Sequence, residues 1–117
     1  MNEPTSLTVE DRPSGLKIIR IHGDLDSVGA RAIEEDLAKA LPPAPLRVLV
    51  DLSQVRFISS AGLALLLVKA KMLRRSGGTL GLAAPTAHVL EVLSLAGFHE
   101  LLDIHPTLEA ALAAWEK

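Results

Sequence analysis

The chain of 117 residues contains no cysteine. Disulfides, thiol catalysis and thiolate metal sites are thereby excluded. Aromatic residues are scarce, with two Phe, one Trp and no Tyr. So few rings cannot build a surface that stacks nucleic-acid bases. The formal net charge is only −2 at pH 7, which argues against a nucleic acid gripped through its phosphates. No apolar run approaches the ~20 residues of a membrane span. The opening Met1-Asn2-Glu3-Pro4-Thr5-Ser6 lacks the basic and apolar regions of a secretory signal. His22, His88, His99 and His105 share no metal-ligand spacing. Ser76-Gly77-Gly78-Thr79 lacks the lysine of a phosphate loop. These absences lead to an expectation of a soluble, cytoplasmic protein with no metal, no cofactor, no nucleic-acid partner and no direct membrane insertion.

What is present is apolar: 49% of the residues, largely Leu and Ala. That is ample for a real core, and the length suits one domain over residues 1–117 with its core in 5–115. The organising stretch runs from Leu46 to Leu63. Leu46 to Leu52 is short, valine-rich and nearly all apolar, which predicts a strand buried on both faces. A short polar loop follows, then Phe57-Ile58, then Ser59-Ser60. Ala61 to Val68 carries no polar side chain and leads into a longer helical pattern. Two serines therefore sit where a strand and loop turn into a helix. A helix start has unpaired N–H groups and the positive end of the dipole, so a phosphate there would be held favourably.

The rest of the chain alternates around this stretch. Residues 6–11 read as an edge strand, Arg12-Pro13-Ser14-Gly15 as a turn, and Leu16 to His22 as a strand completing a hairpin. Asp26 or Ser27 caps a helix with Ala30, Ile33, Leu37 and Leu41 on its apolar face, ended by Pro42-Pro43. After Ser60, Leu63, Leu66, Leu67 and Ala70 share one helix face, and Leu65, Val68 and Met72 lie nearly opposite. That second face either packs on a neighbouring helix or docks a partner. Ser76-Gly77-Gly78 stops the helix. Thr79 to Ala83 predicts a strand, Pro85-Thr86 opens a helix closed by Gly97, and Leu101 to Ile104 predicts another strand. Pro106-Thr107 opens the last helix, with Leu108, Ala111, Leu112 and Trp115 in its apolar stripe. The order β-β-α-β-α-β-α-β-α predicts an α/β fold with a mixed, mostly parallel sheet.

Ligands of open α/β sheets gather beyond the carboxyl ends of the strands. Asp24, Asp26, Asp51, Ser59 and Ser60 are all expected there. Taken singly, Asp26 and Ser60 read as helix caps and Asp51 as a loop stabiliser. Asp24-Leu25-Asp26 resembles the opening of haloacid-dehalogenase phosphatases, in which one carboxylate is a nucleophile. No later acidic pair completes that site. Asp51 has the position of a receiver-domain phosphoacceptor, but no lysine follows either of the last two strands.

The sequence Asp51-Leu52-Ser53-Gln54-Val55-Arg56-Phe57-Ile58-Ser59-Ser60-Ala61-Gly62-Leu63 resembles the signature of STAS domains, the anti-sigma factor antagonists. The usual form is D-L-S-x-V-x-F-[ILM]-D-S-[ST]-G-L. Gly23-Asp24-Leu25-Asp26 is similar to the family's G-E-L-D element. Ser76-Gly77-Gly78 and Leu95-Ala96-Gly97-Phe98 match its downstream landmarks, and the resemblance spans roughly residues 5–115. It implies that Ser60 is phosphorylated by an anti-sigma factor that is also a serine kinase. The dephosphorylated antagonist would bind that kinase and free the sigma factor, and a serine phosphatase would reset the switch. The protein would be a substrate and binding partner, not an enzyme. Ser59 stands where the signature has Asp, which makes Ser59 a second candidate acceptor, and Ala61 replaces the usual Ser/Thr. The implied partner surface comprises Asp24, Asp26, Ser27, Phe57, Ile58, Ser59, Ala61, Gly62, Leu65, Val68 and Met72. Some STAS domains are never phosphorylated and act as interaction modules in signalling scaffolds or lipid-transport complexes; that is the alternative.

Overall fold

The computed structural model describes residues 3–116. Strands β1 (Ser6–Asp11) and β2 (Leu16–His22) form an antiparallel hairpin. Helix α1 (Ser27–Ala40), β3 (Arg47–Gln54), α2 (Ser60–Arg75), β4 (Thr79–Ala83) and α3 (Ala87–Leu95) follow. The chain ends with a 3₁₀ turn (Phe98–Glu100), β5 (Ile104–His105) and α4 (Leu108–Trp115). The five strands lie in chain order, and β2 through β5 are mutually parallel. The expected order and mixed, mostly parallel sheet are borne out.

Strand alternation sorts the core into two layers. Ile19, Ile21, Val48, Val50, Leu52, Leu80 and Leu82 point toward α1, α2 and α3. Leu16, Leu49 and Ala83 point the other way, toward Ala111 and the partly buried Trp115 of α4. Where α4 ends, the same sheet face becomes polar. Arg20 joins Glu10 at 2.9 Å and Asp51 at 3.6 Å, and Arg12 joins Glu116 at 2.7 Å. Hydrogen bonds from Arg12 and then Ser14 hold the Glu116 carboxyl below its ordinary range.

Two expectations are corrected here. Leu101 to Ile104 is not a strand; β5 is only Ile104–His105. Gly97, at φ 77°, ends α3 in the left-handed region and the chain keeps curling. Phe98 and Leu102 then plug into the core, so the apolar residues anchor a tight turn rather than pair in a sheet. Asp51 does not lie beyond a strand end. It is buried within β3, which continues to Gln54, and it accepts a hydrogen bond from the Ser53 amide at 2.9 Å. Its carboxylate serves the polar sheet face beside Arg20 and not the turn that bears the serines.

Candidate functional site

The site is built by two loops fastened to each other. After β2 the chain turns at Gly23, and its amide donates to the Gln54 carbonyl at 3.2 Å. Leu25 and Ile58 then form an isolated parallel bridge. The Leu25 amide donates to the Phe57 carbonyl and the Ser59 amide to the Leu25 carbonyl, each at 2.9 Å. Leu25 and Ile58 are both buried, which gives the bridge an apolar anchor. Segment 23–26 and segment 55–59 are therefore tied to each other along their length.

Each loop runs into a capped helix. Asp26 accepts a hydrogen bond from the Gly29 amide at 2.7 Å and starts α1, as expected. At α2 the cap is Ser59 and not Ser60. The Ser59 hydroxyl donates to the Leu25 carbonyl at 3.3 Å and accepts from the Gly62 amide at 3.5 Å. Ser60 is the first helical residue and is exposed, and its hydroxyl has no hydrogen bond among the described residues. The structural duty thus falls on one serine and leaves its neighbour free at the positive end of the helix dipole. A pair of variants tests this division. Ser59→Ala should cost about 1 kcal/mol of stability through the lost cap. Ser60→Ala should stay within about 0.5 kcal/mol of wild type, as expected of an exposed side chain without partners. Urea denaturation distinguishes the two; equal losses would remove the distinction between cap and free hydroxyl.

The residues expected at a partner surface divide by exposure. Ser27, Phe57, Ser60 and Val68 are exposed, and Asp24, Asp26, Ser59 and Ala61 are half-buried. Ile58, Gly62 and Leu65 face inward, and Met72 is half-buried against the core. Leu65 leaves the outer face because α2 packs on α1 as well as on the sheet, which widens its buried stripe. Of the second apolar face, only Val68 stands clear in solvent.

The structure adds two residues to this end of the molecule. Val28, in the first turn of α1, is 75% exposed. The exposed Phe57 ring stacks on His88 of α3, with centroids 6.4 Å apart and planes at 16°. An apolar residue in the polar opening of a helix was a readable signal for Val28. Nothing local announced the pairing of Phe57 with His88. A cleft of about 340 Å³ beside these loops is lined by Glu3, Asp24, Asp26 and Arg56, among others. Among the described residues no cluster of His, Asp and Glu could hold a metal ion.

The arrangement offers an exposed hydroxyl at the start of α2, between the Asp24–Asp26 loop and a groove that carries Arg31 and Lys69. A phosphoryl group on Ser60 would add about −1.5 to −2 charges there without displacing the cap or the bridge.

Comparison with known proteins shows what the chain as a whole is similar to. The family described as Mlab, STAS domain matches residues 9–103. BtrV of Bordetella bronchiseptica, provisionally assigned as an anti-sigma factor antagonist, is 36% identical over 106 residues, covering 91% of each chain. The anti-sigma-F factor antagonist RsfB of Mycobacterium tuberculosis is 28% identical over 113 residues, covering 96% of this chain and 92% of its own. The crystal structure of an anti-sigma factor antagonist from Mycobacterium paratuberculosis superposes with a TM-score of 0.83 at 28% identity. It covers 97% of this chain and 95% of that one.

Proposed function

The chain belongs to the STAS domain family, and on that premise we propose that it is an anti-sigma factor antagonist switched by phosphorylation of Ser60. The unmodified protein binds an anti-sigma factor that is also a serine kinase, and the sigma factor is released. The kinase phosphorylates Ser60 and binding ends; a serine phosphatase restores it. The cycle runs in the cytoplasm, and residues 5–115 act as one functional unit. ATP is the kinase's substrate, so this protein needs no cofactor of its own.

The observation that carries the reading is the cap at Ser59. It leaves Ser60 exposed, and without a hydrogen bond among the described residues, at a helix start beside the Asp24–Asp26 loop that the Leu25–Ile58 bridge holds in place. Exposure or partial exposure at one end of the molecule supports a partner surface in which Asp24, Asp26, Ser27, Phe57, Ser59, Ala61 and Val68 contact the partner. Ile58, Gly62, Leu65 and Met72 shape that surface from below.

Site mapping by mass spectrometry, on protein isolated from its own cells under phosphatase inhibition, tests the switch. The expected result is one phosphate on Ser60, absent from Ser60→Ala. Phosphate on Ser59 would keep the mechanism and move the site by one residue. An unmodified protein across several growth states would end the switch reading and favour a constitutive STAS interaction module. Ser59 in place of the signature's Asp is the feature that favours that second reading.

A further inference from the structure

We propose that the groove between α1 and α2 seats an acidic amphipathic helix of a protein partner, with Lys69 as the cation that pairs with its carboxylate. The inference rests on reading this end of the molecule as a partner surface, and it specifies the chemistry of what binds there.

The groove measures about 400 Å³. Buried Ala30 and Leu65, half-buried Ala61 and exposed Ala64 line it, and the three small side chains leave room for a larger apolar one. Lys69 opens into it and is only 9% exposed. Its stem is enclosed, yet its amine has neither an ion-pair nor a hydrogen-bond partner among the described residues. The amine is not sealed off, since the one buried and unsatisfied side-chain atom among those residues is Nε2 of His105. An ammonium so enclosed gains most from a carboxylate that arrives with its own apolar surface. Arg31 on the rim also lacks an ion pair among the described residues, so the groove carries two cations against Glu34.

Direction adds to the charge argument. Ser27 and Ala61 line one end of the groove, and Glu34, Val68 and Lys69 the other. Both helices therefore begin at the same end; the Asp26 carboxylate already meets the positive end of α1, and the positive end of α2, capped by the neutral Ser59, favours an acidic group there. That end adjoins Ser60, the residue before Ala61. A third helix lying along two parallel neighbours is a common way for an apolar stripe to be buried. Phosphate on Ser60 would place negative charge at the mouth of a groove that selects for negative charge, so the same partner would be repelled.

The test uses the full chain, labelled for NMR, and two capped peptides of about four helical turns. Both carry leucine at helical spacing; one flanks it with glutamates and the other with glutamines. The acidic peptide is expected to shift the amides of Ala30, Ala61, Ala64 and Leu65. Its affinity should fall about tenfold in Lys69→Met, in Ser60→Asp and with the glutamine peptide. Lys69→Arg should retain it, and Arg31→Gln, on the exposed rim, should weaken it without touching the fold. Equal binding of the two peptides, shifts confined to other surfaces, or full affinity in Lys69→Met would each overturn the proposal. Occupation of the groove by dodecanoate but not by the acidic peptide would assign it to a small amphiphile instead. The peptide result does not depend on whether Ser60 is phosphorylated in cells, so the switch and the groove can fail separately.

Discussion

Gly62→Ala should lower the thermal midpoint by roughly 10 °C, against the usual sign of that change in a helix. Alanine is ordinarily favoured over glycine in a helix by about 1 kcal/mol. Here an added Cβ would lie 2.4 Å from the Leu25 carbonyl oxygen and 2.9 Å from both Ile58 Cγ1 and Leu25 Cβ. The Leu25 oxygen is backbone and cannot rotate aside. It also accepts from the Ser59 amide and hydroxyl, so any retreat breaks the contact that joins the two loops. Overpacking of this kind costs about 2–3 kcal/mol. Thermal and urea denaturation read the loss, and hydrogen exchange at the Leu25 and Ser59 amides should quicken more than at the β2–β3 pair. A variant as stable as wild type would mean that the two loops are not locked together through this contact.

Ser60→Asp should separate stability from binding. A carboxylate in the first turn of α2 meets the positive end of the helix dipole, so the fold should be unchanged or slightly more stable. Affinity for the anti-sigma kinase should fall about a hundredfold, because like charges brought together at an interface cost several kcal/mol. Calorimetric titration against the kinase, with thermal unfolding of the same sample, gives both readings. Unchanged affinity would remove charge at Ser60 as the signal. Lost affinity together with a lowered midpoint would point to a folding defect rather than a switch.

Much of this was legible in the residues because it is local. Apolar runs, Pro and Gly punctuation and the Asp26, Thr86 and Thr107 caps identify the elements in order. The signature around Ser59-Ser60 marks the turn that matters. What was not legible depends on chain segments far apart. Leu25 meets Ile58 across 33 positions with no periodicity to announce it. The duty of the cap falls on Ser59 because its hydroxyl reaches the Leu25 carbonyl, and that carbonyl belongs to the other loop. Leu65 turns inward because α1 lies beside α2, a fact that no helical wheel of α2 alone contains. Asp51 reads as a strand end in the sequence, but β3 continues to Gln54, which pairs with His22 after a register shift that puts one extra residue into β3.

The sheet's strand order bears on how the molecule is made. Each strand pairs with the one before it in the chain, from β1 to β5. A chain leaving the ribosome N-terminus first therefore meets every strand's neighbour already synthesised, and no gap waits for a later segment to fill it. The loops of the site are complete once α2 has emerged, well before β5 and α4. The surface that answers to a partner is thus among the first parts of the protein able to form, and α4 closes the far side last.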